Sequence, residues 1–241
     1  MAGHSKWAKV KHFKGPIDAK RARTFAKLSR EITVAAKLHG GDPDLNPRLR
    51  MVLLKCRAAN MPQENVDRAI KKGTGGGDTR QYEDLVYEIY APHGVALLVE
   101  LSTDNRNRTA AEIRSILSKN GGSMATHGAV TRLFHRKGQI FVQRDAAPEE
   151  TLMELALEAG AEDFLADPEG FEIRTEPGGF DAVHRAVEAR GIAIASASVT
   201  SLSDVLATVD AVHAPSVQRL IELLEEHDDV KEVFSNADFG E

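Results

Sequence analysis

Between Ile17 and Leu38 the apolar positions recur with the period of an α-helix. Phe25, Leu28, Ile32, Ala35 and Ala36 share one stripe at 100° per residue, and Lys20, Arg23, Lys27, Arg30 and Lys37 fall nearly opposite. One face reads as core and the other as positive. Arg21 departs from the split, landing near the apolar side one turn before Phe25. Gly40-Gly41 ends this helix, and Asn46-Pro47 opens a second, with proline at the first helical position and Leu49, Val52, Leu53 and Cys56 inward. A third helix opens near Pro62 and carries Val66, Ala69 and Ile70. Lys71-Lys72 and Gly73 then read as a terminal cation pair and a C′ glycine. These elements predict a small helical bundle. The short glycine-containing turn of a helix-turn-helix DNA reader is missing from it.

The run Gly73-Thr74-Gly75-Gly76-Gly77-Asp78 follows a helix, lacks the Gly-Lys-Ser/Thr ending of a phosphate loop and precedes a strand, so it reads as a hinge. Beyond it the period changes. Residues 82–90 and 95–102 alternate as an antiparallel pair across Ala91-Pro92-His93-Gly94, followed by a helix over 109–119 and a strand near 129–135. Strands at 139–143, 162–166, 171–175 and 192–199, with helices at 148–159 and 179–190, give the order β-α-β-β-α-β of ferredoxin-like folds. A helix over 215–226 and a strand around 230–234 complete the 82–135 fragment. The expected architecture is α+β with three domains: a basic helical domain (1–76), a discontinuous middle α/β domain (80–135 and 203–241), and an inserted βαββαβ domain (136–202).

Charge sharpens this partition. Residues 1–80 hold 18 Lys and Arg against 7 Asp and Glu, and the rest of the 241 residues hold 13 against 29, so a net +11 precedes a net −16. Such asymmetry is the footprint of a basic module that meets a polyanion, with a membrane surface or a merely solvated face as alternatives. Residues 1–14 interleave Lys6, Lys9, Lys11 and Lys14 with Trp7 and Phe13 and contain no acid. Lysines of this kind neutralise phosphates while an aromatic ring stacks on an unpaired base, although Trp7 could equally anchor the arm on the helices. No run of about 18 apolar residues exists, so no membrane span is expected. The N-terminus lacks a secretory apolar region and the Arg/Ser character of a mitochondrial presequence. Cys56 is the single cysteine, which fits a reducing, cytoplasmic setting.

The loop Thr103-Asp104-Asn105-Arg106-Asn107-Arg108-Thr109 precedes a helix. Its Asp, Asn and Thr can cap that helix, and Arg106 and Arg108 at a helix N-terminus can bind phosphate; the two roles are compatible. Lys137-Gly138-Gln139-Ile140-Phe141-Val142 echoes an RNA-recognition strand but lacks the flanking aromatics, which assigns Phe141 to core. No Gly-x-Ser-x-Gly or His-Glu-x-x-His motif occurs, and the nine histidines are scattered singly. No enzyme, metal or cofactor is expected. Glu222, Glu225, Glu226, Asp228 and Asp229 read as a solvated acidic face.

Several ordered motifs resemble the YebC/PmpR family: Gly3-His4-Ser5-Lys6-Trp7, Asp18-Ala19-Lys20-Arg21, the run Arg30 to Lys37, Asn46-Pro47-Arg48-Leu49-Arg50, Ala59-Asn60-Met61-Pro62, Ala69 to Gly73, Asp104 to Thr109, and the tail Asp228 to Asn236. The resemblance spans essentially the whole chain. It implies three domains with the third inserted into the second. Phe13 stands where the family usually has a basic residue, and Ala91-Pro92-His93-Gly94 replaces a more glycine-rich turn. Members are described both as DNA-binding transcriptional regulators and as ribosome-associated translation factors, including factors that relieve stalling at proline runs. Among these, irregular RNA suits a basic bundle with an aromatic arm better than duplex DNA does. The expectation is therefore a monomeric translation factor that docks on ribosomal RNA and tRNA, with promoter DNA as the alternative partner. Its expected contacts are Lys6, Trp7, Lys9, Lys11, Lys14, Lys20, Arg21, Arg23, Lys27 and Arg30, with Arg106 and Arg108 as a second set. Its contribution would be positional, ordering tRNA ends without joining the chemistry.

Overall fold

The computed structural model describes the backbone of residues 18–76 and 81–240, and side chains from residue 21 onward within those ranges. Lys6, Trp7, Lys9, Lys11, Lys14, the side chain of Lys20 and the Gly77-Asp78 end of the hinge lie outside the described residues. Among the described residues, 135–202 form one compact unit, and 18–134 with 203–240 form another. Both mix helices with antiparallel strand pairs, so the fold class is α+β.

The helical part of the larger unit comprises α1 (Asp18–His39), α2 (Pro47–Ala58) and α3 (Gln63–Thr74). Leu28, Ile32 and Ala35 of α1 pack with Leu49, Val52, Cys56, Met61, Val66 and Ala69, the residues whose spacing marks the apolar stripes. Asn46 joins the first two helices. Its Oδ1 accepts the Leu49 N–H at 3.0 Å, and its Nδ2 donates to the carbonyls of Ala35 (2.9 Å) and Gly40 (2.7 Å). One buried amide thus caps α2 and satisfies carbonyls at the end of α1. Gly73 is not the C′ residue expected from sequence. It is buried inside α3, and a Cβ there would lie 2.5 Å from the Thr33 carbonyl oxygen and 2.8 Å from Ala36 Cβ. Thr33 Oγ1 lies 3.2 Å from the Ala69 carbonyl oxygen along the same seam. Gly73 is therefore spent on close helix packing, and Gly75 caps the helix instead.

The sheet of this unit has the order β3-β1-β2-β9, formed by β1 (Glu83–Tyr90), β2 (Ala96–Thr103), β3 (Ser123–Met124) and β9 (Val230–Ser235). β2 is buried on both faces, which explains its near-continuous apolar sequence. Leu97, Val99 and Leu101 pack against α4 (Arg106–Lys119) through Ile113 and Leu117, and against α7 (Ala214–Glu226) through Val217, Leu220 and Leu224. Ala96 and Leu98 on the opposite face meet Val130, Phe134 and Phe234. Two short strands, β8 (Ala207–Thr208) and β10 (Ala237–Asp238), pair in parallel. Asn236 secures them: Oδ1 accepts the Ala96 N–H at 2.7 Å and Nδ2 donates to the Val205 carbonyl at 2.9 Å.

The strand expected near 129–135 is displaced. Thr131–Leu133 is a 3-10 turn, and β4 begins only at Phe134 and runs unbroken to Gln143. The displaced segment serves as a backbone cradle for Glu88. Its carboxylate accepts the N–H groups of Gly128 (2.6 Å), Val130 (2.6 Å) and Thr131 (2.8 Å). Burial works to raise the Glu88 carboxyl, but these three donors hold it below the usual carboxylate range.

The smaller unit runs β4, α5 (Glu149–Glu158), β5 (Asp163–Ala166), β6 (Gly170–Thr175), α6 (Phe180–Ala189) and β7 (Ile194–Ser203), with sheet order β5-β6-β4-β7. Ile140 lies opposite Ile173, and Val142 opposite Phe171, all buried. Phe141 is core, as its position suggests. The Lys137-Gly138 pair is structural: Lys137 binds Glu162 at 2.6 Å and also Glu176, and a Cβ on Gly138 would meet the Phe180 ring at 2.8 Å.

Candidate nucleic-acid interface

Three of the α1 cations that the helical period places opposite the core, Arg23, Lys27 and Arg30, reach oxygen atoms at the α7–β9 turn. Arg23 Nη1 pairs with Glu226 Oε1 at 2.8 Å, with both side chains about half exposed. Lys27 Nζ donates to the carbonyls of Val230 (2.8 Å) and Glu225. Burial pushes its ammonium down to about 8, partly offset by Glu225, Asp228 and Glu31. Arg30 Nη1 donates to Asp229 Oδ1 at 2.7 Å and to the Asp228 carbonyl at 3.2 Å.

The second expected set meets the first at the same carboxylate. Helix α4 starts three residues earlier than its apolar pattern suggests, because Asn105 caps it by accepting the Arg108 N–H at 3.1 Å. Arg106 and Arg108 therefore lie in its first turn. Arg108 Nη2 reaches Asp229 Oδ2 at 2.9 Å and Asp104 Oδ1 at 3.0 Å, while Thr109 Oγ1 donates to Asp229 Oδ2 at 2.7 Å. Arg106 is more open, 66% exposed and 3.6 Å from Glu83.

Asp229 is thus the hub. Its side chain is only 5% exposed, its backbone carbonyl accepts the Ser102 N–H at 2.8 Å, and its own N–H donates to His227 Nδ1 at 3.1 Å. Burial alone would raise its carboxyl; hydrogen bonds from Thr109 and Arg108, with Arg30 behind them, hold it below the usual aspartate range. The acidic run around it is not the uniformly solvated face expected from sequence. Helical periodicity orders α7 but gives no contact for the turn after it. The available signal was charge complementarity between the two parts of the chain.

Further ion pairs join the bundle to the sheet. Arg48 of α2 and Lys231 of β9 hold Asp84 at 2.8 and 3.3 Å. Glu100 and Glu232 sit directly opposite on adjacent strands, a repulsive arrangement. Lys55 lies above them, 3.2 Å from Glu232 and 3.5 Å from Glu31. Burial opposes the Lys55 charge, but Glu232 and Glu31 more than offset it and hold the ammonium above its usual range. Burial, with Glu31 and Glu100 nearby, raises the Glu232 carboxyl.

Other cations on the bundle face solvent. Arg21 is exposed and stacks over the Phe25 ring at 5.3 Å, which explains its position off the basic stripe. Lys37, Arg57, Arg68, Lys71 and Lys72 are likewise exposed. Sequence periodicity missed Arg57 and Arg68 because it singled out α1 alone. Among the described residues, no helix is long and apolar enough to cross a membrane.

A basic helical bundle joined by ion pairs to a mixed α+β sheet is the architecture that the larger unit presents, and comparison with known proteins places it. The profile of the TACO1/YebC N-terminal domain matches residues 5–76, and that of the TACO1/YebC second and third domain matches residues 82–237. The chain belongs to the TACO1/YebC family, as its motifs suggest. It is 50% identical over 238 residues to a protein of Treponema pallidum named as a probable transcriptional regulatory protein, covering 99% of this chain and 97% of the relative. A Rubrobacter xylanophilus protein of the same name is 51% identical over 242 residues, covering 100% and 97%. The crystal structure of a conserved hypothetical protein from Aquifex aeolicus superposes with a TM-score of 0.80 at 42% identity, covering 94% of this chain and 93% of that one.

Proposed function

We propose that the protein is a non-enzymatic, nucleic-acid-binding regulator of gene expression that acts on the ribosome, contacting ribosomal RNA and tRNA and relieving elongation stalls at proline-rich stretches. The observation that carries this reading is the distribution of cations on the helical bundle. Arg21, Arg57, Arg68 and Lys71 are exposed there, on the same bundle that the Lys- and aromatic-rich arm precedes. Exposed cations beside an arm sequence rich in lysine and aromatic residues suit a polyanion with accessible bases. Arg23, Lys27, Arg30 and Arg108 contribute differently from the freely exposed set: they are held on carboxylate and carbonyl oxygens, and RNA phosphates must compete for them. The names of the relatives favour a second reading, a regulator that binds promoter DNA.

Competition binding separates the two. A labelled tRNA is bound at about 150 mM salt and challenged with equal nucleotide concentrations of duplex DNA or unlabelled tRNA, since affinities mean little without fixed salt. The translation reading expects tRNA to displace the label at least tenfold more efficiently. Equal or better displacement by duplex DNA moves promoter binding to first place.

A further inference from the structure

The bundle and the sheet of the larger unit keep separate apolar cores. Leu28, Ile32, Leu49 and Val66 belong to one cluster and Leu97, Val99, Ile113 and Leu220 to another, with no residue in common. Ion pairs and hydrogen bonds run across the joint: Arg23 to Glu226, Lys27 to the Glu225 and Val230 carbonyls, Arg30 to Asp229, Arg48 to Asp84 and Lys55 to Glu232. A cavity of about 10 Å³, the room of a single water, remains there between Lys27, Arg30, Arg48, Ser102 and Asp229. A polar, incompletely filled joint between two cores has the character of a transient contact. The chain passes from bundle to sheet through Gly75 and Gly76, and Gly76 takes φ +68°, a backbone that glycine adopts freely.

We propose that the α7–β9 turn is an autoinhibitory contact: its oxygen atoms stand in for phosphates on the basic face of α1, and RNA binding releases the bundle from the sheet to expose Arg23, Lys27 and Arg30. The inference deepens the nucleic-acid reading above and rests on it. These three cations stand at i, i+4 and i+7 on one helix face, and the turn meets each with a carboxylate or carbonyl oxygen, the acceptors that phosphate would supply. Closure also takes the Lys27 ammonium out of water, a cost that release removes. Because each core is complete without the other, the joint opens without unfolding either part. The fraction of molecules with an open joint then sets the apparent affinity for RNA.

The test follows binding of a labelled tRNA to the full-length protein by fluorescence anisotropy at about 150 mM salt. Glu226→Gln combined with Asp84→Asn removes two carboxylates from the joint and no cation. Glu154→Gln combined with Glu158→Gln, both exposed on α5 of the smaller unit, changes the net charge equally and leaves the joint untouched. Circular dichroism verifies that each is folded. The joint variant should bind at least about fivefold more tightly than this control, the low end of ordinary coupling between two sites. Binding no tighter than the control overturns the autoinhibitory contact and leaves the RNA-binding reading standing. A tRNA that none of the three proteins binds overturns both. Hydrogen exchange of the wild type needs no variant: the amides of residues 227–231 should exchange faster with saturating tRNA than without it. Unchanged or slower exchange there overturns release of the bundle.

Discussion

Replacing Asp229 with asparagine isolates the clasp, because the change keeps the side-chain shape and removes the charge on which two arginines and a threonine converge. Asp229 Oδ1 takes Arg30 at 2.7 Å, and Oδ2 takes Arg108 at 2.9 Å and Thr109 at 2.7 Å. An asparagine offers one oxygen, so at least one of these donors faces an amide NH2 group. Hydrogen bonds to a charged group contribute about 1.5–3 kcal/mol each. The arginine side chains are 34% and 43% exposed, so water recovers part of the loss, and the full penalty for breaking a buried pair does not apply. The expected cost is about 2 kcal/mol, a fall of up to about thirtyfold in the folded-to-unfolded ratio. Urea unfolding followed by circular dichroism measures it. The native Asp229 carboxyl lies below its unfolded value of about 3.9, so its contribution is complete above that pH and disappears as acid protonates the folded form. The gap between wild type and Asp229→Asn should therefore be constant from pH 7 to about 5 and narrow below about 4. A difference under about 0.5 kcal/mol at pH 7, or one that widens in acid, would refute the hub.

Three further perturbations test neighbouring parts of the fold. Gly73→Ala gains about 1 kcal/mol of helix propensity but drives a methyl group into the Thr33 carbonyl and Ala36, so overpacking should prevail and destabilise by about 1–3 kcal/mol in urea titrations; a stabilised variant contradicts the close packing. Glu88→Gln should cost about 2–4 kcal/mol, with a deficit that shrinks below about pH 4 where wild-type Glu88 loses its own charge, and unchanged thermal unfolding at pH 7 would count against the cradle. Lys55→Met leaves Glu31, Glu100 and Glu232 without their cation; because the Glu232 carboxyl already lies high, its deficit should be larger at pH 8 than at pH 5, and the reverse order would exclude this compensation.

Most of the element order was legible because burial follows period. The stripe through Leu28, Ile32 and Ala35 and the alternation of β1 both correspond to observed elements. Errors fell where a local signal has two physical uses. A glycine after two lysines reads as a helix cap, yet Gly73 serves tight packing, a relation that depends on Thr33 and Ala36 far away in sequence. The apolar residues around Val130 read as a strand, yet their N–H groups hold Glu88. The basic face of α1 was correct as a pattern, but its pairing with the turn at Asp229, some 200 residues later, carries no periodic trace. Arg30 and Arg68 come together only through the crossing of α1 and α3, which no spacing within either segment encodes.

Co-sedimentation with ribosomes tests the central claim most directly. The intact protein and a Lys6→Glu, Lys9→Glu, Lys11→Glu, Arg21→Glu variant are spun with ribosomes at about 150 mM salt in the presence of excess duplex DNA. Retention of the intact protein and loss of the variant is the predicted result. An intact protein that leaves the ribosome for the DNA, or a variant retained as well as the wild type, would contradict it.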